Sequence, residues 1–191
     1  MSKLHLWLVC WASVAALAGC SDTRSEEDVQ GLEVTDVVAY WSVRGKAGES
    51  YQIYPVARFR VRNGNQRDVN YMQAMAVFRR PSAPEESWGS AYLYSITEGP
   101  LAPGELSPVL TLRCDSNYIS KDPPQKMLEN PEWEHVWVEL FLKAGSSAWR
   151  PAHKMEVPKR LGAPGVEKFL RPPGGAETPA EDARVDQSSG G

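Results

Sequence analysis

The chain has 191 residues, with 21 Lys+Arg against 24 Asp+Glu and a formal net charge of −3. So near a balance excludes the basic excess with which a nucleic-acid-binding domain meets phosphate.

Residues 1–19 have the three parts of a secretory signal. Lys3 is the positive start, 4–17 is an apolar run broken by His5 and Ser13, and Ala18 and Gly19 are small residues before Cys20. The run is shorter than the roughly 20 residues a spanning helix needs, so it reads as a removed signal. Leu17, Ala18, Gly19 and Cys20 resemble the lipobox of bacterial lipoproteins. That resemblance implies cleavage before Cys20, a diacylglyceryl group on its sulfur and an acyl group on its new amine. It implies no other cofactor. Acyl carbons contribute about 0.8 kcal/mol each on burial, and two or more chains hold a protein stably on a membrane. Ser21 follows the cysteine and the aspartate comes one place later, at Asp22. In Gram-negative lipoproteins this order favours the outer membrane over inner-membrane retention, with the domain facing the periplasm.

Removal of 1–19 takes away Lys3 and Cys10 and no acid. With Cys20 acylated, Cys114 is the one remaining thiol and no intramolecular disulfide can form. Cys114 continues an alternation with Leu110 and Leu112, which predicts a small buried hydrophobe rather than a redox thiol.

Residues 20–30 are polar and acidic without periodicity, and read as a lipidated flexible tether. Residues 162–191, rich in Pro, Gly, Ala, Ser and acids, read as a disordered tail. Between them, 31–161 is one domain of common size, with 16 bases and 15 acids.

Strand signals dominate that domain. The first strand covers 32–43, before a Gly45-Lys46-Ala47-Gly48 turn. In 56–62, Ala57, Phe59 and Val61 point one way and Arg58, Arg60 and Arg62 the other, the pattern of a half-buried antiparallel strand. A turn at Asn63-Gly64-Asn65 leads to 69–79, apolar on both faces and so central, ended by Pro81 and Pro84. Strand 90–96 carries Tyr92 and Tyr94 on one side. Pro103-Gly104 marks a turn before strand 109–114. Within 116–134, Asp122 before Pro123 predicts an N-cap and one helical turn over 126–130. Strand 135–143 buries Val136, Val138, Leu140 and Leu142. Gly145-Ser146-Ser147 turns the chain into 149–157.

Seven strands without βαβ alternation predict an all-β fold, a single antiparallel β-sandwich. Phe59-x-Val61-x-Asn63, a second alternating strand, and Leu101-x-Pro103-Gly104-Glu105 resemble the FxLYD-type arrangement over 33–115. The wider pattern is similar to Ig-like and fibronectin-III-like domains of bacterial envelope proteins. The full tyrosine motif of the FxLYD family is absent, and no function is carried across.

The residues offer little catalysis. Only His135 and His153 remain after signal removal, and no Gly-x-Ser-x-Gly, His-Glu-x-x-His or Cys-x-x-Cys occurs. Asp115, Asn117 and Asp122 could offer oxygens to calcium, but EF-hand spacing is missing, so no metal is expected. Glu132 and Glu134 are the sole acid pair for hydrolysis, and they would point to opposite faces if extended.

Two surfaces remain. Arg58, Arg60 and Arg62 form a guanidinium stripe with about 7 Å spacing. With Arg67 or Arg79 it can bind carboxylates or phosphates, unless acids such as Glu98 or Glu139 pair with it. Trp133, His135, Trp137 and Phe141 share one strand face, with Trp41, Trp88 and Trp149 elsewhere. They fit either an exposed stacking surface or a second small core beneath 116–134. The expectation is a non-enzymatic envelope lipoprotein that binds or scaffolds an envelope partner, either a protein complex or cell-wall glycan, with a carbohydrate-binding or hydrolytic accessory module as the alternative.

Overall fold

A computed structural model describes residues 23–162. Its strands form two antiparallel sheets packed face to face, an all-β sandwich-like fold. The element order is α1 (Thr23–Gln30), β1 (Leu32–Ala47), β2 (Ser50–Asn63), β3 (Met72–Arg79), β4 (Gly89–Leu93), β5 (Leu110–Arg113), β6 (Tyr118–Ser120), α2 (Pro124–Glu129), β7 (Val136–Ala144) and β8 (Arg150–Val157). One sheet runs β1-β2-β5, with β6 also on β2; the other runs β4-β3-β7-β8.

All seven expected strands are present. The eighth, β6, pairs with an extension of β2 that reaches back to Ser50. The predicted alternation is the burial pattern. Ala57, Phe59 and Val61 are sealed on β2, facing Ala74, Ala76 and Phe78 of β3 and Val138, Leu140 and Leu142 of β7. β3 lies between β4 and β7, central as its two apolar faces predict. Cys114 is buried at the end of β5, and that burial pushes its thiol up to about 12.

Two local expectations are corrected. Residues 23–30 are not a flexible tether but the helix α1, fixed to the domain at every turn. Arg67 binds Asp28 (2.8 Å) and Glu27 (3.0 Å). The Ala148 N–H donates to Glu26 Oε1 (2.8 Å), and the Ser146 N–H donates to Ser25 Oγ (3.3 Å). Arg150 donates to the Val29 carbonyl (3.0 Å) and the Leu32 carbonyl (2.6 Å), capping a C-terminus that has no basic residue of its own. Val29 is fully buried. Asp122, in turn, does not cap α2. The cap position is Pro123, without a side-chain cap, and the Asp122 N–H donates to the Ser120 hydroxyl oxygen (3.0 Å). Of the predicted tail, 163–191 lies outside the described residues, as do the signal segment and Cys20.

A buried asparagine organises the β2–β3 connection. Asn63 donates to the Arg67 carbonyl (2.8 Å) and the Leu101 carbonyl (2.7 Å), and its Oδ1 accepts from the Asn65 N–H (2.9 Å). On the outer face of the second sheet, Glu139 joins three strands. It accepts from Lys154 of β8 (2.7 Å) and Arg79 of β3 (3.1 Å).

Two predictions follow from this packing. Gly89 opens β4 where it crosses the end of β5, and a Cβ there would lie 2.5 Å from Cys114 Sγ and 2.6 Å from Asp115 Oδ1. Gly89→Ala is therefore expected to cost about 1–3 kcal/mol in urea denaturation, the usual cost of overpacking. Lys154, then Arg79, hold the Glu139 carboxyl below the usual glutamate range. A depressed folded-state value adds stability above the unfolded-state value, and that stability is lost as pH falls through the folded one. The stability difference between the native chain and Glu139→Gln, measured from neutral pH into the acid range, should shrink as pH falls. A difference independent of pH would refute this linkage.

Candidate functional site

Four rings gather at the end of the sandwich where β3 finishes and β7 begins. Trp41 of β1 is fully buried, with Trp133 edge-on at 4.8 Å, Tyr118 at 5.7 Å and Trp88 at 6.3 Å. Tyr118 also touches Trp133 (4.4 Å) and Trp88 (4.9 Å). Neither the Trp41 nor the Trp133 indole N–H meets an acceptor among the described residues, so these rings contribute contact area rather than polar anchoring. Desolvation pushes the Tyr118 hydroxyl up.

β6 and α2 leave this cluster open on one side. There a cleft of about 340 Å³ is bounded by Tyr118, Ile119 and Trp133 and by Arg80, Asp122, Glu132 and Glu134. That volume lies at the small end of ligand-binding clefts. Ile119 is 61% exposed on its rim. Glu134 Oε1 accepts from the Ser82 N–H (2.7 Å), and its Oε2 lies 3.9 Å from Arg80 Nε. Hydrogen bonding from Ser82, with Arg80 alongside, holds the Glu134 carboxyl below its usual range. It therefore stays a fixed anion at neutral pH. Three acids against one arginine make the wall acidic, while the floor is aromatic. Such a cleft can take a stacking ring or apolar side chain together with a cation or hydroxyl groups.

The expected aromatic stripe is divided. β7 begins at Val136, so Trp133 precedes the strand and turns into the ring cluster. Trp137 stands 37% exposed on the outer sheet face, with Lys154 Nζ 5.9 Å from its ring. His135 pairs with Glu156. Phe141 is half-buried beside Pro151 and His153. Trp149 is distant from the cluster in the fold and meets Tyr92.

The arginine stripe lies on the other sheet. Arg58 stands opposite Val38 and Thr111, Arg60 opposite Thr35, and Arg62 opposite Glu33. Arg67 is engaged by α1, and Arg79 and Glu139 pair with each other across the second sheet. The stripe therefore gains neither of the arginines expected beside it, and Glu33 is the acid across from it rather than Glu139. Asp115 accepts from the Ser90 N–H (2.9 Å). Among the described residues no three His, Cys, Asp or Glu side chains gather as metal ligands.

Sequence reasoning singled out Trp133 but missed Tyr118, Ile119 and Arg80. The three-residue β6 is too short for alternation to mark, and Arg80 reaches the cleft only through the fold.

No protein-family model and no curated protein matches the chain. Two solved structures are similar at low identity. The Northeast Structural Genomics Consortium target SoR45 has 9% identity and a TM-score of 0.39, over 72% of this chain and 91% of its own. The putative ApaA protein from Bordetella pertussis has 10% identity and a TM-score of 0.33, over 66% of this chain and 93% of its own.

Proposed function

We propose that the chain is a lipid-anchored envelope protein, attached through Cys20 to the outer membrane and facing the periplasm. It binds a partner without catalysing a reaction. The observation that carries the binding reading is the cleft between Ile119, Tyr118 and Trp133 and the acidic wall of Asp122, Glu132 and Glu134. Aromatic groups flanked by charge are the usual anchors of a protein interface. A projecting partner side chain, apolar along its stem and cationic at its tip, suits both the rings and the carboxylates. The lipobox residues support the anchor. The stripe Arg58, Arg60 and Arg62 and the exposed Trp137 are further contact surfaces on the two outer sheet faces.

A second reading has one observation in its favour. Asn130, Ser120, Asp122 and Glu132 surround the rings of Tyr118 and Trp133, a mixture that can stack on a sugar ring and bond its hydroxyls.

The test is a cross-linked pull-down of the lipidated chain from its own envelope, with the native sequence beside Ile119→Glu, Glu132→Arg and Arg58/Arg60/Arg62→Ala. Ile119 and Glu132 are exposed, so their replacement spares the core. We expect one protein complex with the native chain and at least a tenfold loss, about 1.4 kcal/mol, with Ile119→Glu or Glu132→Arg. Loss confined to the arginine variant would move recognition to the stripe. Recovery of glycan without protein would replace the first reading with the second.

A further inference from the structure

We infer that the α1 end of the sandwich rests against the lipid headgroups and that the cleft is held out at the opposite end. This rests on Cys20 being the lipid-bearing residue. Only Ser21 and Asp22 separate Cys20 from Thr23, where α1 begins. Three residue steps span at most about 11 Å. A flexible tether of 20–30 would have let the domain tumble at a distance; a docked α1 removes eight residues of that reach.

α1 is seated at a defined end of the fold. Ser25 meets Ser146 in the β7–β8 turn, Glu26 meets Ala148, and Asp28 meets Arg67 in the β2–β3 connection. The cleft is built from the other end, by residues after β3, around β6 and before β7. The length of β7, about 27 Å, lies between the two.

The α1 end also carries an independent mark of a lipid interface. Tyr71 is 58% exposed with φ 48°, a left-handed conformation that bulky residues rarely adopt. Its carbonyl accepts from the Gly145 N–H (3.0 Å) beside Ser25. Tyr94 is 74% exposed at the same end, two residues before Ile96, whose N–H donates to the Met72 carbonyl. Tyrosine, with an apolar ring and a polar tip, concentrates at membrane–water interfaces. The geometry therefore makes the docked α1 a fixed mount close to Cys20, with Tyr71 and Tyr94 toward the headgroups.

The full acylated chain, with Cys20 acylation established by mass, is placed in vesicles of phosphatidylethanolamine and phosphatidylglycerol bearing a headgroup-linked energy acceptor. A fluorophore is attached at Gln66→Cys in one sample and Lys121→Cys in another; both native side chains are exposed. Cys114, buried with its thiol pushed up to about 12, stays unlabelled. Energy transfer is expected to be several-fold stronger from position 66 than from position 121. Equal transfer, or a reversed order, from the acylated protein overturns this orientation and leaves the anchor reading standing. A Cys20 without acyl mass overturns both. Inserting about twenty Gly and Ser residues before Thr23, a coil of roughly 25 Å, is expected to erase the contrast. A contrast that survives the insertion overturns the role given to the short spacer.

Discussion

The structure depends on burying the inner faces of two sheets against each other without a covalent staple. Cys114 is the one free cysteine among the described residues and lies within that interface. Cohesion between the two sheets therefore comes from apolar area rather than from a cross-link. Period two makes this strict. A slip of one residue in β2 would turn Phe59 and Val61 outward and Arg58 and Arg60 into the core. Partners on both sides hold the register of β2, β1 along almost its whole length and β5 and β6 in succession on the other edge. Closure at the ends is equally tight, since Gly89 leaves no room for a methyl group beside Cys114.

α1 shows a different way of ordering chain. Its sequence, Thr23–Gln30, has a single large apolar residue, Val29. Eight residues of this composition do not hold a helix in water. What holds them is polar and distant in sequence: Arg67 on the acids, Arg150 on the Val29 carbonyl, and the amides of Ser146 and Ala148 on the first turn. The charges that make the segment look like solvated tether are the charges the domain uses to seat it.

That contrast explains what could be read along the chain. Strands were legible where alternation ran for five or more residues, as in β2 and β7. β6 was not, because three residues carry no period. α1 was not, because its partners lie about 40 and 120 residues away. The site was half legible. Trp133 was marked by composition, but assigning it to the same face as Trp137 assumed a strand that extends three residues too far. The real start at Val136 sends one indole into the Trp41 cluster and leaves the other outside. Arg67 and Arg79, candidates for the arginine stripe, were claimed by acids that only the tertiary fold brings near.

The two ends of the sandwich differ in kind, and the difference bears on where recognition sits. At one end the connections are pinned. Asn63 ties the β2–β3 loop to Leu101, and Ser146 and Ala148 are tied to α1. At the other end, the segments 80–88 and 115–135 are long and rich in exposed charge, and they surround the buried Trp41 with partly buried rings. Binding surfaces belong on such loops, where a rigid scaffold positions variable chain. A flat outer sheet face offers less. On the second sheet Glu139 is already paired with both Lys154 and Arg79. On the first, Arg62 stands opposite Glu33. The cleft combines an aromatic floor with a carboxylate, Glu134, whose charge is held in place by Ser82 and Arg80. On the proposed reading, a preset charge beside packed rings would need little reordering when a partner arrives, so that little of the binding energy would be lost to entropy.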